Sequence, residues 1–207
     1  MKQIFVKRAP FFAVVVLTTS VFGFAQTGGR SLVDERNVRA EMYFLASDAM
    51  QGRGSGTPFE RVAAEYIGSQ FMQFGLEPAG DNGFDGKPTY VQTADGKHKT
   101  WNAVGKITGS DRALSSEVIL LSSHLDHLGV RENTPGDDKI FNGADDDASG
   151  SIAVLELARV LGKGIRPKRP SILYALAAKR SVGLGRPTLL IICHFQKTNS
   201  SLISNLR

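Results

Sequence analysis

The residues best suited by type to chemistry fall in two short stretches. The first is His124-Leu125-Asp126-His127-Leu128-Gly129, and the second is Asn142-Gly143-Ala144-Asp145-Asp146-Asp147-Ala148-Ser149-Gly150. His124 and Asp126 are two residues apart, so in an extended chain their side chains point the same way. A histidine can bind a metal through one ring nitrogen while a carboxylate orients the ring through the other. Three consecutive carboxylates repel one another unless they are solvated, cap a helix or bind a cation. Alone, Asp145–Asp147 reads as well as a solvated loop with an N-cap as it does as a metal site. With HLDHLG upstream, the metal site is the better reading.

A calcium reading competes. Asp145, Asp147, Ser149, Gly150, Ile152 and Glu156 fall at positions 1, 3, 5, 6, 8 and 12 of an EF-hand loop. Its context is poor: an EF-hand needs an incoming helix, and Thr134–Gly143 carries Pro135 and two glycines instead.

Elements must hold these stretches in place. Asp34–Leu45 has the helical stripe Val38, Met42, Leu45. Ala49–Gly56 (AMQGRGSG) reads as a plain loop, since it fits neither GxGxxG nor a P-loop. Thr57-Pro58-Phe59-Glu60 is a helix start with a capping box. Phe59, Val62, Ala63, Tyr66, Ile67, Phe71 and Phe74 follow at helical spacing, and Gly75 ends the run. Glu77–Thr100 is turn-rich. Trp101–Ile107, Glu117–Ser123 and Ser171–Ala177 read as strands, and Asp147–Leu161 as a helix. Strand, loop, helix, strand gives an α/β fold. HLDHLG then follows a buried strand, where open α/β sheets place their ligand sites.

Charge bounds the partners. The chain has 207 residues and a formal charge of +5. Residues 1–25 carry +3, residues 26–156 carry −8, and residues 157–207 carry +10 with no acidic residue. An acidic body between two basic ends argues against a nucleic-acid partner. Met1–Pro10 followed by the apolar Phe11–Phe24 reads as a signal peptide cleaved after Ala25. The apolar run is short of the ~20 residues a membrane span needs. The expectation is a secreted or periplasmic protein, off the membrane once cleaved. The single cysteine excludes a disulfide framework.

From about Ala40 to Ala178 the chain resembles the co-catalytic di-zinc aminopeptidases of metallopeptidase family twenty-eight, whose catalytic domain also includes glutaminyl-cyclase-like members. The resemblance runs through FLASDAMQGRGSGTPFERVAAEYIGSQF, GLEPAGDNG, SSHLDHLG and FNGADDDASGSIAVLELARVL. It implies a three-layer fold with a mostly parallel or mixed sheet and helices on both faces, incomplete at the C-terminus. It implies Zn2+ as cofactor, with two ions ~3.5–4 Å apart in such sites. His124 would bind one zinc, Asp146 would bridge both, and Asp126 would orient His124 from behind. A glutamate would take the proton of the attacking water. The substrates implied are peptides with a free N-terminus.

The resemblance breaks after the SILYALAA strand. There the family places Glu-Glu, the first the general base and the second a zinc ligand. This chain has Lys179-Arg180. Neither cation can ligate zinc, and arginine does not give up its proton. The general base is therefore absent. The family's later Asp ligand has no counterpart, and His194 is the one later histidine. Deleting one base from a suitable coding text for Ala-Glu-Glu-Lys-Arg-Gly-Leu-Gly-Ser yields the residues of Ala178–Arg186. The organisation expected is a signal peptide (1–25), the N-terminal portion of a zinc-peptidase catalytic domain (26–178) and an aberrant, frameshifted tail (179–207). The alternative is a genuine divergent C-terminus, with Leu189–Cys193 as an apolar strand and Cys193 beside His194. A chain without the rest of its sheet would leave strand edges unpaired. Three function classes follow: an aminopeptidase that is inactive as written, a non-catalytic secreted remnant, or a calcium module at 145–156.

Overall fold

The computed structural model describes residues 32–86, 89–93, 96–164, 166–177 and 190–192. The signal-peptide segment 1–25, Lys179-Arg180 and the Cys193-His194 pair lie outside the described residues. No described helix is long and apolar enough to cross a membrane.

Helix α1 (Glu35–Leu45) starts where Asp34 accepts a hydrogen bond from the Arg36 N–H at 2.9 Å. Its stripe holds: Leu45 is buried, and Val38 and Met42 pack against the core. Helix α2 (Pro58–Gln73) starts at Thr57, whose hydroxyl accepts from the Glu60 N–H at 3.4 Å. The capping box closes one residue early, because Glu60 reaches back to the Gly56 N–H rather than to that of Thr57. Ala63, Ala64, Ile67 and Phe71 face inward. Phe59 and Val62 are exposed, so the apolar face is narrower than the sequence run. Gly75, at φ +82°, ends the helix in the left-handed region that glycine adopts without strain.

A mixed five-stranded sheet forms the centre, in the order β1 (Glu77–Pro78), β4 (Ala103–Ile107), β8 (Ser171–Leu176), β5 (Ile119–His124), β9 (Leu190–Ile192). β5 and β8 run parallel, with His124 opposite Leu176; the other pairs are antiparallel. β9 lies within the apolar run Leu189–Cys193 and pairs antiparallel with β5. The turn-rich stretch hides a hairpin, β2 (Thr89–Thr93) with β3 (Gly96–Thr100). A second, shorter pair is β6 (Gly129–Val130) with β7 (Ile140–Phe141).

Helix α3 (Ser149–Lys163) packs on β5 and β8, α2 packs on β4, and both α1 and α2 touch α3. Helices in mutual contact share one face of the sheet. Of the layer expected on the opposite face, no helix is among the described residues. The core lies between these helices and the sheet, around Ile67, Phe71, Val154, Leu155, Leu173 and Ala175. The α/β class and the mixed sheet agree with the sequence reading.

Candidate metal centre

β5 delivers His124 at its carboxyl end, as the parallel pairing with β8 requires. The ring is nearly buried, at 8% side-chain exposure. Its Nδ1 lies 2.9 Å from the backbone carbonyl of Asp126. A carbonyl only accepts, so Nδ1 is the donor in that contact. Nε2 lies 2.9 Å from Asp146 Oδ1, a distance that a shared proton spans. Two zinc bonds of ~2.0–2.1 Å at a tetrahedral angle would set the same two atoms ~3.3 Å apart, a small opening of the pair.

The aspartate triplet divides by environment. Asp145 and Asp146 are exposed, and Asp147 is fully buried. Asp147 accepts from the His124 backbone N–H at 3.1 Å and from the Gly150 N–H at 3.0 Å. It thereby ties the end of β5 to the first turn of α3, where the helix dipole favours an anion. Ser151 adds a second tie, its hydroxyl donating to the His124 carbonyl at 3.1 Å. The solvated-loop reading of the triplet holds for Asp145 and fails for Asp147.

The expectation for Asp126 needs a correction. Its carboxylate stands 3.6 Å from His124 Nδ1, beyond hydrogen-bond range, and the backbone carbonyl takes that place. The chain turns away from β5 after His124, which swings the Asp126 side chain to the Ser55 hydroxyl. His127 also converges, although the sequence reading gave it no role. Its Nδ1 lies 3.7 Å from Asp146 Oδ2, so the two oxygens of Asp146 face two different imidazoles. A cavity of about 700 Å3 opens beside His127 and is lined by Ser55, Tyr90, Gln92 and Arg131 among others.

The calcium reading does not survive. Its second half, from Ser149, is α3, and Ile152 is buried in the core. Glu156, its twelfth position, is bonded by Arg159, Asn37 and the Asp34 N–H. A helix cannot wrap its carbonyls round an ion as an EF-hand loop does.

Two charged groups beneath the site were also missed. Arg53 is 1% exposed and sits in the glycine-rich loop read as plain. Burial lowers its pKa to about 10, opposed by attraction from Asp126, Asp147 and Asp146, so it stays cationic at neutral pH. Glu60 is fully buried, and desolvation raises its pKa to about 8 against bonds from the Gly56 and Trp101 N–H groups. The signal for both was a charged residue flanked by glycines or at a helix start, which is weak alone.

His124 and Asp146 suit zinc by donor type. A catalytic zinc takes three protein ligands, and no group of three or more metal-binding side chains is assembled among the described residues.

The fold agrees with comparisons to known proteins. Residues 102–178 match the model of Peptidase family M28. The chain is 29% identical over 163 residues to the alkaline phosphatase isozyme conversion protein of Escherichia coli, covering 75% of this chain and 46% of that one. Among solved structures it is similar to glutaminyl cyclase of Porphyromonas gingivalis (TM-score 0.52, 21% identity, 70% of this chain and 46% of that one). It is also similar to a Zn-dependent exopeptidase of Parabacteroides distasonis (TM-score 0.51, 23% identity, 69% and 46%). At these identities the solved structures establish the shared fold. The chain spans less than half the length of these relatives. The M28 match covers β4, β5, both candidate ligand stretches, α3 and β8.

Proposed function

We propose that this chain is a secreted, catalytically incompetent form of an M28 zinc aminopeptidase, whose lineage acts on peptides with a free N-terminus. The observation that carries the metal half of this reading is the opposition of His124 Nε2 and Asp146 Oδ1 at 2.9 Å. Asp146 turns its second oxygen to His127, as a bridging carboxylate would turn to a second ion. His124 and Asp146 hold zinc weakly, and Asp126 and Asp147 fix the backbone around them. When bound, zinc in such a site polarises a carbonyl and acidifies a water. The incompetence rests on Lys179-Arg180, which follow β8 in the sequence where the resemblance calls for Glu-Glu. Their side chains offer neither a general base nor an anionic ligand. The segment from Lys179 is a frameshifted reading of the ancestral text, and the coding DNA tests it: codons at 178–186 that cannot yield Glu-Glu by a one-base change rule it out.

The functional test uses purified full-length chain with zinc and an aminoacyl-nitroanilide. The expected result is no hydrolysis, with weak zinc binding by calorimetry that His124→Ala and Asp146→Asn each abolish, and no response to calcium. Hydrolysis at an ordinary aminopeptidase rate would refute the reading.

A further inference from the structure

The loop read as plain from the sequence holds the two ligand-bearing loops together. Its instrument is Arg53. Nε donates to the Leu125 carbonyl at 2.8 Å, Nη1 to the Asn142 carbonyl at 2.7 Å and to the Leu45 carbonyl, and Nη2 to the Gly143 carbonyl at 2.9 Å. Four bonds thus leave one side chain for three separate segments. Leu125 directly follows His124, and Gly143 lies three residues before Asp146. The Arg53 carbonyl accepts the His127 N–H at 3.0 Å. Two residues on, the Ser55 hydroxyl donates to Asp126 Oδ2.

The backbone is bent to make this possible. Gln51, Gly52 and Arg53 have φ of 44°, 63° and 46°. Left-handed backbone is uncommon for residues with a side chain and persists where the surroundings over-determine it. At Gly52 a Cβ would lie 2.4 Å from the Phe141 carbonyl oxygen and 2.8 Å from that of Gly129. The loop is therefore threaded against the β6–β7 pair, with the guanidinium aimed under the site.

We propose that Arg53 is a positioning residue that fixes the separation of the His124 and Asp146 loops, with Ser55 setting the Asp126 carboxylate from the same loop. The planar fork is what the task requires. Its donors diverge in fixed directions and reach carbonyls on different segments, whereas a lysine ammonium is a single point on a flexible stem. Arg53 touches no reacting atom and acts through the backbone of the ligand loops. Its effect on zinc rests on the metal reading above; its effect on the loops does not.

The test compares full-length wild type with Arg53→Lys and Ser55→Ala by amide hydrogen exchange and by zinc affinity. For Arg53→Lys, exchange at residues 124–127 and 143–148 should accelerate at least tenfold, while protection in β4 and β8 stays within twofold of wild type. Zinc affinity should fall at least tenfold. In Ser55→Ala the acceleration should be confined to Asp126 and His127. Unchanged exchange in the ligand loops, or an equal rise across β4 and β8, overturns the proposal. If Arg53→Lys does not fold, Ser55→Ala and an Arg53→Ala chain supplemented with millimolar guanidinium decide it: guanidinium that fails to restore loop protection counts against Arg53. If wild type binds no zinc, the metal reading falls while the exchange result still decides this one.

Discussion

Two buried charge clusters meet α3, one at its amino end and one midway, and they are built on different terms. Midway, anion and cation touch. Glu156 takes Arg159 Nε at 2.8 Å and Nη2 at 2.7 Å, with Asn37 and the Asp34 N–H completing its shell. The bonds from Arg159 hold the Glu156 carboxyl below its ordinary pKa, and the same bonds raise that of Arg159. At the amino end, Arg53 gives its described hydrogen bonds to neutral carbonyls, and its charge is balanced by Asp126, Asp147 and Asp146 across space. Those aspartates keep their oxygens for the Ser55 hydroxyl, backbone N–H groups and two imidazoles. A directly paired cluster is complete in itself and ties helix to helix. A cluster balanced at a distance can hold carboxylates together without consuming them, which is what a cation site needs.

The largest effect should separate the clusters at once. Arg53→Met takes a donor from four carbonyls, of which Gly143 keeps the Ala148 N–H, and leaves three aspartates without their cation; it should cost ~3–5 kcal/mol in chemical denaturation. Arg159→Met takes away a cation that is itself partly exposed and leaves Glu156 two neutral donors, and should cost ~1–2 kcal/mol. Equal losses would break the distinction drawn here.

Each cluster also has a glutamate beside it whose pKa burial raises. Desolvation and Glu156 raise Glu41 from 4.5 to about 7, while Glu60, nearer Asp126, rises to about 8. A carboxyl with a raised folded pKa lends its full stability below the unfolded value near 4.5, and that stability drains as pH climbs through the folded value. Stability should therefore fall between pH 4.5 and 7 on account of Glu41, and on to pH 8 on account of Glu60. At pH 9, Glu60→Gln and Glu41→Gln should each recover on the order of 2–3 kcal/mol. Melting each variant from pH 4 to 9 checks this: a Glu60→Gln chain with an undiminished slope would show that Glu60 is ionised in the fold.

Outside the clusters, effects should be small. Thr57→Ala removes the cap of α2, which carries Glu60, and should cost ~1 kcal/mol in a urea melt. Arg169 and Glu117 meet at 2.7 Å with each about a third exposed. Arg169→Ala should change stability by about 1 kcal/mol or less. A larger loss there would mean that ion-pair contact, and not burial, sets the scale.

Much of the fold was legible because it is written in local periodicity. The Val38–Leu45 stripe, the Thr57-Pro58 start, and the apolar runs of β5 and β8 each announce an element from within a few residues. The hairpin β2–β3 was hidden because its strands alternate without an apolar face, as in Gly96–Thr100. HLDHLG and the aspartate triplet marked the site because such residues are costly to bring together without a cation. Arg53 left no such mark. Its partners lie 72 to 90 residues away for the site loops, and they are backbone carbonyls, which have no signature in sequence.

By itself, then, the sequence determined the order of helices and strands, the donor types at 124, 126 and 145–147, and the Lys179-Arg180 pair after the last apolar run of the domain. These are properties of side chains and short spacings. Only the tertiary structure decided that Asp146 faces both histidines, that Asp147 is a buried brace, that Asp126 orients His124 through its carbonyl, and that Arg53 joins the loops. Each of those depends on where the chain ends up after β5 and β8 pair and α3 docks. Closing that sheet brings distant backbone groups within 3 Å of one another, and no local pattern encodes which groups meet.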